Sequence, residues 1–461
     1  MSVRRWYLPL VALLAVGVAL RVVATVGFWP AYIANPDAFS YLDAAGGDLF
    51  KYAERPSGYP FFLRVADWGL FGHLPLLVAL QHVLGLVSGV LMYLAMVRFG
   101  ASRPLALVPA AVVLLTGDQI FFEHAVLSEA LFGMLVVAAV YCAARTLDAG
   151  ALPWAAAAGA LLATAATVRT VGLFMLPLLA LWLALTRPGR VRVRLAPVLA
   201  CGAAALVIVG AYVVAQRDAT GFTGFARTSG WSLYARVAPF ADCSQFTPPD
   251  GTAGLCEPGV PSEMRPGATF YHHNSSSPAW RVFGPPPNGN SELRALAREV
   301  IDNQRVADAL IVAKDTLRYI DPNIGRYRAY NGTGPGGLSF NDPNPEFLPR
   351  SLEQIRLHWH AVSFHDRFGA VLRGYQDAIR IHGYLLPLLV LLALIGLWPA
   401  TRRERAGIAL MAGLTVTAVM VPSATLFYSW RYLVPLLPLL VAAALLGGYA
   451  LLRRLRSEPP R

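Results

Sequence analysis

Charge is what this chain of 461 residues has least of: only 14% of it is Asp, Glu, Lys or Arg. Soluble domains carry about 25%, so the deficit excludes an ordinary soluble enzyme and a disordered chain. Lysine is nearly absent, with Lys51 and Lys314 alone among 39 basic residues. Cysteine occurs four times, too sparsely for a disulfide-dense scaffold. No internal repeat is visible, which argues against a solenoid. What fills the space is apolar: 56% of the residues are hydrophobic and the mean hydropathy is +0.49. Long charge-free runs make the chain a polytopic membrane protein.

Ten apolar stretches are long enough to read as spans: 6–28, 74–97, 104–117, 126–144, 154–168, 171–186, 195–216, 383–400, 406–422 and 432–452. The net charge of +12 would point to nucleic acid in a soluble chain. Its placement says otherwise. With the N-terminus in the cytoplasm, the inner segments hold 16 basic residues against three acidic ones, while 218–382 holds 16 of each. That is the positive-inside pattern, so the excess is topological and no nucleic-acid partner is expected. The first stretch lacks a small-residue cleavage signature and reads as a retained helix.

This topology predicts an all-α membrane protein of about ten transmembrane helices with both termini cytoplasmic. An N-terminal transmembrane module, 1–217, carries a surface loop at 29–73 with short interfacial helices. An extracytoplasmic α-plus-loop domain, 218–382, is inserted before the eighth span, and a C-terminal transmembrane module with a short cytoplasmic tail fills 383–461. Within the insert, 291–320 reads as one amphipathic helix capped by Ser291, and 351–382 as another leading into the next span. Cys142 and Cys201 fall inside spans. Cys243 and Cys256, 13 apart, can bridge in an oxidising compartment; the alternative, zinc, lacks a CxxC partner pair.

Acidic residues near hydrocarbon are costly and point to function. Outside the insert and the inner segments, every acid maps to the outer side. The first cluster, NPDAFSYLDAA, places Asp37 and Tyr41 four apart on one helix face. Asp37 is either a partly desolvated general base or a helix cap. In KYAERPSGYPFFLR, Lys51 and Arg55 lie outside against the charge rule, either for an anion such as phosphate or to pair with Glu54 and Asp48. The turn around Arg55 ends at Tyr59-Pro60. In GDQIFFEHAVLSEALF, Asp118, His124 and Glu129 bracket the outer ends of the third and fourth spans. Glu129 could bind substrate hydroxyls or assist Asp37; His124 could pair with Glu123 or be an ordinary interfacial histidine. Arg169, between spans five and six, and Arg431, heading the last span, either snorkel to headgroups or hold a phosphate at the bundle rim.

Taken in order, these motifs resemble the GT-C superfamily: an early acid in the first outer loop, an Arg-Pro-x-Gly-Tyr-Pro turn, Leu-Ser-Glu at the fourth span, Arg between spans five and six, and a final Arg-Tyr-Leu-x-Pro. GT-C members are membrane glycosyltransferases using polyprenyl- or dolichyl-phosphate sugar donors. The bacterial relatives of protein O-mannosyltransferases and of the aminoarabinose transferase are nearest in pattern. The resemblance implies Asp37 as base, Glu129 or Asp118 as second acid, and Arg55, Arg169 and Arg431, with Lys51, as phosphate ligands. It implies a single inverting displacement without metal or cofactor, in a bacterial plasma membrane, on an envelope acceptor that is protein, lipid or polysaccharide. The chain departs from the family in carrying its soluble part before the eighth span instead of after the last. The competing readings are a transporter or lipid flippase with an outer acidic gate, and a non-catalytic assembly protein.

Overall fold

The computed structural model describes residues 7–33, 36–148, 151–186, 190–257, 264–321, 339–340, 353 and 355–457. Among them nearly every element is a helix. Helix α1 (Leu8–Gly27) starts on a Pro in its first turn, where the missing N–H costs nothing. Two short helices follow, α2 (Pro36–Gly46) and α3 (Gly58–Leu70), then α4 (Leu74–Arg98). A bend of 46° separates α5 (Arg103–Leu115) from α6 (Gly117–His124). Next come α7 (Glu129–Arg145), α8 (Ala151–Val168), α9 (Val171–Thr186) and α10 (Val191–Thr220). After the insert, helices Leu386–Gly396, Arg402–Thr425 and Leu437–Ser457 complete the bundle.

Seven helical stretches are long and apolar enough to cross a membrane, or eight if the bent pair counts as one span. The expected ten is not reached by this measure. Helices α7 and α9 coincide with two of the expected spans but have only 17 and 16 residues. Polar residues cut them short: Ser128 and Glu129 open α7, and Arg169-Thr170 breaks the chain between α8 and α9. The molecule is a multi-pass membrane protein in which close helix approach depends on small residues. At Gly58, an added Cβ would sit 2.4 Å from the Thr167 carbonyl oxygen, so α3 can lie on α8 only because that residue is Gly.

The insert has its own apolar centre. Helix α11 (Ser229–Val237) contributes Trp231 and Tyr234, which pack with Tyr271 of α12 (Ala268–His273), with α13 (Pro278–Phe283), and with Leu293 and Leu296 of α14 (Asn290–Asn303). The expected single helix over 291–320 is two. Helix α14 begins after Gly289, whose φ of +66° supplies the turn, so Ser291 is not its cap. It stops at Gln304, whose side chain leaves the helix to bond the Asp242 backbone, and α15 (Arg305–Leu317) restarts beyond it. The single helix expected over 351–382 is interrupted: among the described residues, 353 and 355–356 are helical, and a separate helix spans Gly369–Ala378. The chain before it instead adds a short strand: His365–Asp366 pairs antiparallel with Phe28–Trp29, Phe28 opposite Asp366 and Trp29 opposite His365. Cys243 and Cys256 are joined as a disulfide, with Cα atoms 6.1 Å apart, while Cys142 and Cys201 are free and buried.

Candidate active site

Five chain breaks converge at one end of the bundle, and each delivers one charged side chain. Pro36 starts α2 and places Asp37 in its first turn, where a carboxylate suits the positive end of the helix. Arg55 lies in the turn before α3. Glu129 is the first residue of α7, the same favourable place for an acid. Arg169 sits in the two-residue gap between α8 and α9, and Arg431 in the 3-10 turn Trp430–Tyr432.

Arg431 ties the group together. Its Nη1 meets Asp37 Oδ2 at 2.6 Å, and its Nε and Nη2 both reach Glu129 Oε1 at 2.7 Å. Arg55 Nη2 donates to the other oxygen of Asp37, Oδ1. Arg169 Nη1 lies 2.7 Å from Glu129 Oε1 and 3.2 Å from the Ser128 hydroxyl. Tyr41, one turn after Asp37, carries the Arg55 guanidinium 5.7 Å from its ring centre, and the Arg169 guanidinium lies 4.9 Å from that of Tyr432. Both are cation–π placements that help hold the cations in a dry site. Tyr59 packs edge-on against Tyr41 and donates to Gln81 at 2.6 Å. A small recess of about 10 Å³ beside the cluster, lined by Tyr41, Tyr52, Arg55 and Pro60 among others, has room for roughly one water.

Two features of this cluster bear on chemistry. Three guanidiniums face two buried carboxylates, and a third carboxylate, Glu54, pairs with Arg55 more loosely at 3.9 Å. Glu129 Oε1 takes the N–H contacts, while Oε2 is buried with no hydrogen-bond partner among the described residues. Burial alone would raise the Asp37 pKa, but Arg55 and Arg431 outweigh it and hold the carboxyl well below the usual range. The same pairing keeps Arg55 protonated against the pull of desolvation.

Three of the expected residues lie elsewhere. Lys51 reaches Asp43 at 2.8 Å on the surface, outside the arginine cluster. Asp118 pairs with Arg380 at 3.0 Å and accepts from Gln376 at 2.9 Å, fastening α6 to Gly369–Ala378. His124 is fully buried in a second charged group. There Arg21, inside α1, grips Glu123 with Nε and Nη2 at 2.7 and 2.6 Å and gives Nη1 to the Gly17 and Leu114 carbonyls. His82 Nδ1 lies 3.0 Å from Glu123 Oε2, His82 Nε2 lies 3.3 Å from His124 Nδ1, and His124 Nε2 bonds the Phe28 carbonyl. Gly85 makes room for this: a Cβ there would overlap Glu123 Oε1 at 1.9 Å. The sequence reading pairs no residue with Arg21, because its partner lies 102 positions away.

The fold and the site define a multi-pass helical membrane protein with a buried carboxylate–guanidinium centre built from interhelical turns. Residues 52–225 match the model of the dolichyl-phosphate-mannose-protein mannosyltransferase family, so the resemblance to GT-C glycosyltransferases holds over that segment. It contains Arg55, Tyr59, Glu129 and Arg169; Asp37 and Arg431 flank it. No curated protein matches the chain. Three solved structures are similar. The Saccharomyces cerevisiae protein O-mannosyltransferase Pmt1–Pmt2 complex bound to the sugar donor aligns at 18% identity and TM-score 0.38, over 49% of this chain and 36% of that one. ArnT from Cupriavidus metallidurans bound to undecaprenyl phosphate aligns at 16% identity and TM-score 0.40, over 97% and 78%. The oligosaccharyltransferase AglB from Archaeoglobus fulgidus, in complex with an inhibitory peptide and a dolichol-phosphate, aligns at 11% identity and TM-score 0.45, over 98% and 52%. This chain thus spans about a third of the first of these proteins.

Proposed function

We propose that this protein is a membrane glycosyltransferase. It moves a sugar from a polyprenyl-phosphate donor to an acceptor hydroxyl on the extracytoplasmic side, by inverting displacement, with Asp37 as general base. The observation that carries this reading is the convergence of three guanidiniums on Asp37 and Glu129, beside a buried carboxylate oxygen that has no partner among the described residues. Three planar guanidiniums in one place suit the oxygens of a lipid phosphodiester. Glu129 Oε2 suits a sugar hydroxyl, which would end its isolation.

The resting pairs also suggest an order of events. Both oxygens of Asp37 are engaged by guanidiniums, so the carboxylate is ionised but weakly basic. A donor phosphate that draws Arg55 and Arg431 toward itself loosens those pairs and restores basicity just as the anomeric carbon arrives. The acceptor oxygen then attacks that carbon, the C–O bond to phosphate breaks, its electron pair leaves with the phosphate, and the arginines stabilise the growing charge. The reading is tested with the full chain in proteoliposomes, supplied with radiolabelled sugars on polyprenyl phosphate. Transfer should occur with the native chain and be lost in Asp37→Asn. Undiminished transfer by a normally expressed Asp37→Asn protein removes Asp37 as base.

A further inference from the structure

The proton that leaves the acceptor hydroxyl must leave Asp37 again once its arginines return, since two guanidiniums favour the bare carboxylate. A second group with an open lone pair stands nearby, on the insert. The last two residues of α12 are His272 and His273, and one set of tautomers satisfies their hydrogen bonds together. The Ser232 hydroxyl donates to the Thr228 carbonyl at 3.3 Å, so its oxygen accepts from His272 Nε2–H at 3.4 Å. His272 Nδ1 therefore carries a lone pair and accepts from His273 Nδ1–H at 3.2 Å. That leaves the lone pair of His273 on Nε2, on an exposed side chain.

The placement is anchored. Arg227, near the start of the insert, donates its backbone N–H to the Ala53 carbonyl at 2.9 Å and its Nη2 to the Phe50 carbonyl at 2.8 Å, fastening the insert to the turn that carries Glu54 and Arg55. The His273 ring meets Phe427 edge-on with centroids 6.4 Å apart, four residues before Arg431. The charges acting on His273 are those of Glu54, Arg55 and Asp37, with His272 beside it. Partial burial, together with Arg55, lowers its pKa against the opposing pull of Glu54 and Asp37.

Building on the glycosyl-transfer reading, we propose that His273 is the proton relay between Asp37 and the outer solvent. When the acceptor oxygen bonds to the anomeric carbon, its O–H proton passes to Asp37 and then to Nε2 of His273. The imidazolium releases it to water, and Asp37 returns to its arginines.

Two measurements on the full chain in proteoliposomes test this. The first needs no donor: diethyl pyrocarbonate labelling of His273, followed by mass spectrometry across pH. Asp37→Asn removes a negative charge and should lower the pH midpoint of labelling; Arg55→Gln should raise it. A midpoint indifferent to both overturns the relay, whatever the protein transfers. The second reads transfer from a polyprenyl-phosphate-linked radiolabelled sugar. His273→Gln and His273→Ala should slow turnover by roughly ten- to a hundredfold and lose the acid limb of the pH profile, with added imidazole restoring His273→Ala. A His273→Gln protein with the native rate and profile, or no rescue by imidazole, overturns the relay and leaves the glycosyltransferase reading standing. Coupled labelling midpoints in a native protein that transfers no sugar overturn that reading, and the relay role with it.

Discussion

The molecule buries two charged clusters, and they are built on opposite principles. In the first, Arg21 and Glu123 satisfy each other bidentately, His82 and His124 extend the chain of hydrogen bonds, and two main-chain carbonyls absorb the remaining arginine donor. No side-chain atom of these four residues is left without a partner. In the second, Arg55, Arg169 and Arg431 share Asp37 and Glu129 between them, and one carboxylate oxygen, Glu129 Oε2, has no hydrogen-bond partner among the described residues. Burying an ion pair is favourable only when geometry and extra hydrogen bonds repay desolvation. The Arg21 cluster meets that condition by itself and so locks α1, α4 and α6. The Arg431 cluster does not, and a bound anion with hydroxyls would complete it.

Breaking each cluster should therefore have a different signature. The largest expected effect is catalytic: Asp37→Asn should reduce transfer by about 10²–10⁴-fold, the range for loss of a general base, while thermal unfolding in detergent changes much less. Glu123→Ala should do the reverse. It strands Arg21 in the bundle and should cost about 3–5 kcal/mol of stability, visible as a lowered Tm, with undecaprenyl phosphate binding by the residual folded protein unchanged. An Asp37→Asn protein that melts as badly as Glu123→Ala would erase the distinction between the two clusters.

Acid sharpens the comparison further. The Asp37 carboxyl is held below its unfolded value of about 3.9. Its contribution is thus present above that value and lost only as pH falls toward the lower folded value. The stability difference between native and Asp37→Asn proteins should stay constant from pH 8 to 5 and shrink below about 4; a difference that fades between pH 7 and 5 would contradict this. The smallest effect belongs to Lys51. Its pair with Asp43 is on the surface and half exposed, so Lys51→Ala should cost under about 1 kcal/mol and leave donor binding intact. A tenfold loss of undecaprenyl phosphate affinity would return Lys51 to the site.

Much of this was legible in the residues, and for identifiable reasons. Apolar run length announces a membrane helix whatever it packs against, so the helical class and most helix positions follow from hydropathy. Arg169 and Arg431 stood out because a charge beside hydrocarbon is costly wherever it falls. The helix over 291–320 was misjudged because Gln304 interrupts it through a side-chain bond to Asp242, 62 positions away. Asp118 and His124 looked like site residues for the same reason as Glu129, as polar groups at a span end. Their partners, Arg380 and the Phe28 carbonyl, are remote in sequence, and only those partners tell structural charges from poised ones.

The amino-acid order alone determined that the chain lives in a bilayer, where its helices run, and which few ionisable residues had to be accounted for, because transfer free energies are local and additive along the chain. Which acid met which base was decided only by tertiary packing. Arg431 reaches Asp37 across 394 positions and Glu129 across 302, and no local energy term encodes such a meeting. That convergence separates a satisfied lock from an unsatisfied site, and it brings His273 from a distant insert to the same place.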